Sequence, residues 1–197
     1  MESIQITGDA LWSRMERAVE KVLERLRRAV AVLESLGVDY AVVGGHAVRI
    51  WVSQVDEAAV RNTKDVDILI RRDDLESIKT AMSKAGFVFR HSAGLAMFLD
   101  GPRGNPREAI HLVFAGEQVR AQEPQPNPTL DRAASVADLR TLELETLVAM
   151  KLNSFRLKDR VHLVDMIDVG LIDAGWVERL PAELGERLQQ LIDDPDQ

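Results

Sequence analysis

Two short stretches in the first half of the chain decide the fold. Residues 40–47 read YAVVGGHA and residues 61–68 read RNTKDVDI. Each contains or begins an apolar run that favours a buried strand, at residues 40–43 and 66–70. A strand, a glycine pair and a helix in this order can cradle a phosphate, because glycine lets the backbone approach closely and a helix N-terminus presents unpaired N–H groups. Ordinary tight turns also contain glycine pairs, so this pattern needs a second observation.

That second observation is a pair of aspartates. Asp65 and Asp67 are two residues apart at the start of the second strand, so their side chains point to the same face of the sheet. Two carboxylates this close repel each other, and a divalent cation between them would neutralise the repulsion. Oxygen ligands suit Mg²⁺ or Mn²⁺, with phosphate oxygens and waters completing the coordination. Two solvated acids at an exposed strand end are the alternative, and the upstream glycine pair favours the metal site.

The rest of the chain alternates between helical and extended patterns. Helices are predicted at residues 11–33, 46–53, 73–85, 142–155, 158–172 and 181–192. Further strands are predicted at residues 87–90, 95–99 and 109–114, before a proline-rich crossing segment at residues 122–128. We therefore expect an α/β (α+β) domain with an N-terminal helix at residues 1–121, followed by a C-terminal helical subdomain at residues 122–197.

Composition excludes several classes of protein. The chain has 197 residues, 46% hydrophobic and 29% charged, as expected for one domain with a single core. It has no cysteine, which excludes disulfides, thiolate zinc sites and cysteine nucleophiles. Residues 1–5 lack the pattern of an export signal, and no apolar run approaches the ~20 residues of a membrane span. We therefore expect a cytoplasmic protein with no membrane partner.

The net charge of −7 is concentrated towards the C-terminal end. Residues 161–197 contain nine acids and two bases, so residues 1–160 are neutral overall. An acidic chain argues against indiscriminate nucleic-acid binding, which depends on Lys and Arg neutralising phosphates. A local basic cleft remains compatible with this charge.

Taken together, the motifs resemble a known family. The pair Gly44-Gly45 followed by Asp-Val-Asp-Ile at residues 65–68 resembles the nucleotidyltransferase fold of the DNA polymerase β superfamily. The longer motif at residues 61–67 is similar to AbiEii/MenT-like nucleotidyltransferases of bacterial defence and toxin–antitoxin systems. Residues 147–165 look like that family's C-terminal helical motif, with Lys, then Arg-x-Lys-Asp, then Asp. The resemblance implies a nucleotidyltransferase-like mixed sheet flanked by helices.

The resemblance also implies catalytic roles. Asp65 and Asp67 would be the metal ligands, with Mg²⁺ or Mn²⁺ as the cofactor that grips a triphosphate. Lys151 on the downstream helix would add a positive charge at the phosphates, and Asp159 would take the family's downstream acidic role. Catalysis in such enzymes is mainly positioning and charge neutralisation at the transferring phosphoryl group.

A second set of residues would bind the nucleotide. Gly44 and Gly45 would hold the triphosphate through their backbone N–H groups, and His46 would line the site beside them. Arg61 and Lys64 would contact a phosphate or the acceptor. A basic loop paired with nearby acids is an equally good interpretation of these two cations.

One position departs from the family pattern. Many members carry a third carboxylate between two apolar residues on a later strand, and here the matching segment at residues 109–114 has His111 at that place. Glu108 is three residues away and should face the other side of the strand. A histidine can accept the proton of an acceptor hydroxyl, but it is a poorer Mg²⁺ ligand than a carboxylate. His111 is therefore either a site residue or a structural polar side chain at the wall of the cleft.

Two functions of different classes follow. The first is an enzyme that transfers a nucleoside monophosphate from an NTP such as ATP to a hydroxyl of a tRNA or a protein. The alternative is a catalytically impaired module that binds nucleotide or a cognate toxin or antitoxin, because the third carboxylate is replaced by His111. A phosphotransferase on the same scaffold would differ by releasing a nucleoside diphosphate instead of pyrophosphate.

Overall fold

The computed structural model describes residues 8–195, so residues 1–5, where no export signal is expected, lie outside the described residues. The helices are α1 Gly8–Leu36, α2 Gly44–Ser53, α3 Leu75–Lys84, α4 Leu144–Ser154, α5 Leu157–Asp168 and α6 Ala182–Asp193. The strands are β1 Tyr40–Val43, β2 Val66–Ile70, β3 Phe87–Ser92, β4 Leu95–Asp100, β5 Ile110–Phe114, β6 Ala133–Val136 and β7 Leu139–Leu142. Within residues 8–195, every helix is too short or too polar to cross a membrane.

The seven strands form one mixed sheet in the order β3-β4-β5-β2-β1-β7-β6. The pairs β2–β5 and β1–β7 are parallel, and the other neighbouring strands are antiparallel. This confirms the mixed α/β architecture expected from the sequence. The three central strands, β5, β2 and β1, are mostly apolar because helices cover both faces of the sheet.

Each face of the sheet supports its own core. Alternate residues of β1 and β2, such as Val42 and Ile68, pack towards α1 and α3. The residues between them, such as Val43 and Leu69, pack with α2, α4, α5 and α6. Because side chains of a strand alternate between faces, Asp65 and Asp67 share the face of Leu69 and therefore point towards α2, α4 and α5.

The sequence predicted a helical subdomain at residues 122–197, but this segment also contains the two strands β6 and β7. β6 and β7 form a hairpin that joins the same sheet beside β1, where Thr141 donates a hydrogen bond to the backbone carbonyl of Val42 at 2.9 Å. The predicted helix at residues 142–155 accordingly starts two residues later, because Leu142 ends β7. The division of the chain between residues 121 and 122 stays a prediction.

The helix predicted at residues 158–172 also has different bounds. α4 ends at Ser154, because the next residue, Phe155, adopts φ +44°. α5 then begins at Leu157. α5 then ends at Asp168, shortly before Gly170 with φ +74°. A left-handed residue of this kind terminates a helix because it breaks the repeating backbone geometry.

Candidate active site

A row of side chains crosses the middle of the sheet and forms the floor of the site. Val43 of β1 is in register with Asp67 of β2, and Asp67 is in register with His111 of β5. Residues in register on neighbouring strands point to the same face, so Asp67 and His111 are side by side. Asp65, two residues before Asp67, shares that face and completes a group of three.

The three side chains are close enough to share an ion. Nδ1 of His111 lies 3.6 Å from Oδ1 of Asp67 and 3.9 Å from Oδ2 of Asp65. One ligand atom from each residue can be chosen so that all lie within 4.8 Å of one another. Among residues 8–195, no other group of three histidine or acidic side chains converges in this way. The arrangement can hold a divalent metal ion.

The glycine pair makes room for these carboxylates. Gly44 adopts φ +66°, and a Cβ at this position would lie 1.9 Å from Oδ2 of Asp67. A Cβ on Gly45 would lie 3.0 Å from Oγ1 of Thr63. Any larger residue at position 44 would therefore displace Asp67. The pair also begins α2, whose N-cap residue makes no side-chain hydrogen bond. The first N–H groups of a helix have no partner within the helix.

Two neighbours compensate the charge of Asp65. The hydroxyl of Thr63 donates to Oδ1 of Asp65 at 2.8 Å, and Nζ of Lys158 lies 3.9 Å from its Oδ2. Burial opposes ionisation of Asp65, but the hydrogen bond from Thr63 and the charge of Lys158 together hold its pKa below the usual value. The carboxylate of Asp67 outweighs burial at His111 and raises the pKa of that imidazole. The site is therefore rich in charge before any ligand binds.

A buried ionic cluster forms the opposite wall. Asp159 is 1% exposed and accepts hydrogen bonds from Lys151 at 2.9 Å, from Arg156 at 2.8 Å and from the hydroxyl of Ser154. Burial would raise the pKa of Asp159, but the charges of Lys151 and Arg156 outweigh it and hold the pKa far below the usual value. The cluster ties the end of α4 to the start of α5.

A cleft of about 530 Å³ lies between the sheet and these two helices. It brings together six of the residues that the sequence assigned to the site: Gly44, Asp65, Asp67, His111, Lys151 and Asp159. Phe89 and Phe114, which also line this space, pack with the core on the other face of the sheet. The part of the cleft beside Asp65, Asp67 and His111 is therefore its polar part.

Two of the predicted nucleotide contacts point elsewhere. Nε of Arg61 donates to both carboxylate oxygens of Asp165, at 2.8 and 2.7 Å, so Arg61 anchors the loop before β2 to α5. Lys64 is exposed on that loop and does not line the cleft. The structure therefore places Arg61 in the paired-loop arrangement that the sequence left open.

His46 lies behind the site instead of lining it. Its side chain belongs to the third residue of α2 and is 1% exposed, with Nε2 buried and without a hydrogen-bond partner among residues 8–195. Burial, assisted by the charge of Arg49, lowers the pKa of His46 to about 4. It is therefore a neutral core residue near pH 7, and Gly45 likewise lies outside the lining of the cleft.

Two residues of the site were not assigned by sequence reasoning. Thr63 and Lys158 both belong to motifs that carried the family resemblance, but their types alone gave them no role. The signal that points to Thr63 is its position two residues before Asp65, because a hydroxyl at that spacing can donate a hydrogen bond to the carboxylate. Lys158 approaches Asp65 only because α5 packs over the sheet, which no local pattern shows.

No protein-family model and no curated protein matches the sequence. The structure is similar to that of the antibiotic-resistance factor ANT(2'')-Ia, with a TM-score of 0.55 and 13% identity over 90% of this chain and 94% of that one. It is also similar to an antigenic nucleotidyltransferase-like protein from Paracoccidioides brasiliensis, with a TM-score of 0.54 and 19% identity over 91% and 90% of the chains. At these identities the comparison shows that the chain has a nucleotidyltransferase-like fold.

Proposed function

We propose that this protein is a metal-dependent nucleotidyltransferase, which moves a nucleoside monophosphate from an NTP to an acceptor hydroxyl. The observation that carries the proposal is the convergence of Asp65, Asp67 and His111 beside the uncapped N-terminus of α2. Nucleotidyl transfer needs a place for a divalent ion and a place for phosphates side by side. The cleft offers both.

The residues present fit a divalent ion. Two carboxylates and one imidazole supply three donor atoms, and Gly44 leaves Asp67 the space that a Cβ would fill. Thr63 and Lys158 satisfy one side of Asp65, while Asp67 faces His111. Asp65, Asp67 and His111 would hold the ion, which when bound neutralises charge on the triphosphate and on the attacking oxygen.

The chain's own groups position the phosphates. α2 begins at Gly44, which lines the cleft beside Asp67, and the dipole at a helix N-terminus favours an anion. Lys158 has a side chain that is 53% exposed and reaches the cleft, so it can contact an incoming phosphate. Lys151 is held by Asp159 and positions the end of α4. We therefore assign the phosphate contact to Lys158 and a positioning role to Lys151.

The acceptor and the biological setting are part of the proposal. The similarity of residues 61–67 and 147–165 to AbiEii/MenT-like enzymes favours a tRNA or a protein as acceptor, ATP among the candidate donors, and a cognate toxin or antitoxin as partner. A protein that consumes nucleoside triphosphates needs a compartment that contains them, which favours the cytoplasm.

A transfer assay tests the function directly. Native protein is incubated with each of the four NTPs, labelled at the α- or γ-phosphate, with Mg²⁺ or Mn²⁺ and with total tRNA or cell lysate as acceptor. We expect the α-label to move to an acceptor with release of pyrophosphate. Asp65→Asn/Asp67→Asn should abolish transfer, and Glu16→Gln/Glu20→Gln, which removes two charges from the exposed part of α1, should keep it.

Other outcomes of this assay contradict the proposal. Movement of the γ-label with release of a nucleoside diphosphate would show a phosphotransferase. A folded native protein that transfers neither label under any of these conditions would argue against an active enzyme.

The position of His111 favours a second candidate, a catalytically impaired module that binds nucleotide or a cognate partner. A third carboxylate is absent from the row formed by Asp67 and His111. Replacing His111 by Asp separates the candidates. If native protein transfers nothing and His111→Asp restores transfer, the impaired module is correct; if native protein is active, the enzyme is.

A further inference from the structure

His111 lies beside the two carboxylates, at the position that a third metal ligand would occupy. It is in register with Asp67, and its Nδ1 faces both carboxylates at 3.6 and 3.9 Å. Adjacent ligand atoms about 2.1 Å from a common ion lie about 3 Å apart, so small side-chain rotations would bring this atom into coordination. The side chain is 20% exposed, which leaves it open to the cleft.

Nδ1 is the ring nitrogen of His111 that faces the two carboxylates. A metal-binding histidine commonly donates its second ring N–H to a carboxylate, a backbone carbonyl or water, which presents the other nitrogen as a lone pair. Nδ1 would therefore be the atom that binds the ion.

The nearby acids do not compete for the third position. Glu108 lies in the turn before β5 and pairs with Arg25 at 3.5 Å. Asp159 is enclosed by Lys151 and Arg156, and Glu117 pairs with Arg72. Within residues 8–195, His111 is therefore the only histidine or acidic side chain that groups with Asp65 and Asp67.

We propose that His111 is a protein ligand of the ion in this site, and that the Asp-Asp-His set makes the site prefer Mn²⁺ and Co²⁺ over Mg²⁺. The proposal rests on the proposed function and adds the identity of the metal to it. Mg²⁺ takes oxygen ligands almost exclusively, whereas imidazole nitrogen suits transition metals, with affinity rising from Mn²⁺ to Co²⁺. One nitrogen in the set shifts the preference without removing the carboxylates that Mn²⁺ also favours.

A spectroscopic measurement on native protein tests the proposal without any variant. Mn²⁺ is added to the full chain without nucleotide, and electron spin-echo modulation reports whether a nitrogen nucleus is coupled to the bound ion. We expect nitrogen coupling. Bound Mn²⁺ without nitrogen coupling would overturn the assignment of His111 as a ligand.

Variants then test the preference. Titration calorimetry measures the affinities of native protein for Co²⁺ and Mg²⁺, together with those of His111→Asp. We expect the ratio of Co²⁺ to Mg²⁺ affinity to fall by about tenfold or more in His111→Asp, because Co²⁺ loses its nitrogen and Mg²⁺ gains an oxygen. The control is Gln54→Asp, which adds a carboxylate at an exposed residue just after α2, outside the lining of the cleft, and should leave the ratio unchanged.

Failure of this proposal is distinguishable from failure of the proposed function. If Asp65→Asn/Asp67→Asn abolishes Mn²⁺ binding while His111→Asp leaves the affinity ratio unchanged, the metal site stands and the role of His111 is overturned. If the double variant binds Mn²⁺ as native protein does, the ion does not bind at Asp65 and Asp67, and both proposals fail.

Discussion

Gly44 is the single residue on which the geometry of the site depends most. Its φ of +66° favours glycine, and its missing Cβ leaves Asp67 in place. Gly44→Ala should therefore cost the left-handed strain of about 1–2 kcal/mol and, in addition, about 1–3 kcal/mol for the overlap with the carboxylate. We expect lower stability in urea unfolding and loss of Mn²⁺ binding by calorimetry.

Gly37 provides the matched control for that substitution. It has the same φ of +66°, but no atom lies within 4 Å of a Cβ built there. Gly37→Ala should show the backbone strain alone and bind Mn²⁺ as native protein does. Equal losses of stability in the two variants, with metal binding kept in both, would contradict the close contact between position 44 and Asp67.

At the residue scale, the sequence predicted the parts of the site that follow from local geometry. Asp65 and Asp67 share a face because a strand alternates with period two, and the structure places them together. The sequence left Arg61 between a phosphate or acceptor contact and a paired loop, since only the packing of α5 brings Asp165 to it. His46 was assigned to the lining, but the packing of the first turn of α2 buries it.

Among the elements, the junction between α4 and α5 carries a buried ion pair. Lys151 is in the last turn of α4 and Asp159 in the first turn of α5, and they are 4% and 1% exposed. Asp159→Asn leaves the charge of Lys151 buried without its carboxylate, so we expect a loss of about 3–5 kcal/mol at pH 7. Urea unfolding measures this loss.

The lowered pKa of Asp159 makes the stability of the protein depend on pH. The pKa of Asp159 is lower in the folded protein than in the unfolded chain, so the unfolded chain binds more protons as acid is added. Its contribution is complete above the unfolded pKa of about 4 and is lost as the pH falls below it towards the folded value. In Asp159→Asn the stability should fall less steeply over that range.

Asp39 supplies an exposed carboxylate for comparison. It pairs with Arg71 at 2.7 Å and Arg140 at 2.9 Å, yet its side chain is 37% exposed. Asp39→Asn should cost about 1 kcal/mol or less, because surface ion pairs contribute little. If Asp39→Asn and Asp159→Asn had equal effects, burial of the second pair would have no energetic consequence.

At the element scale, sequence patterns located elements better than turns. The β6–β7 hairpin turns at Ala137 and Asp138, which both adopt positive φ, without the Asn-Gly or Asp-Gly pair that usually marks such a turn. The sequence predicted separate helices at residues 142–155 and 158–172, with Lys151 and Asp159 facing one side of the sheet. It showed no contact between them, because the left-handed turn at Phe155 is what brings the two side chains together.

For the whole molecule, the site lies where the two halves of the chain meet. Sheet residues before position 115 supply Asp65, Asp67 and His111, and the helices after position 143 supply Lys151 and Lys158. The excess of acidic residues at positions 161–197 does not line the cleft. Five bases and five acids line the cleft, so it is close to neutral in a chain of net charge −7. A bound metal ion would supply the positive charge that favours an anionic substrate.

A ligand that binds the folded chain across this junction should stabilise the entire molecule. With Mn²⁺ at about one hundred times its dissociation constant, mass action adds about 2.7 kcal/mol. For a domain of this size each kcal/mol raises the melting temperature by about 2–4 °C, so we expect an increase of about 5–10 °C. Thermal unfolding followed by circular dichroism measures it, and Glu16→Gln/Glu20→Gln should show the same increase.

Asp65→Asn/Asp67→Asn should respond differently, and its metal-free stability decides what the pair is for. Repulsion between the two carboxylates is already offset at Asp65 by Thr63 and Lys158, so removing both charges should move the metal-free melting temperature by only about 2 °C. Mn²⁺ should then have no effect on the variant. A purely structural pair would instead give a lower melting temperature with and without metal, because Lys158 and His111 would lose their anionic neighbours in both conditions.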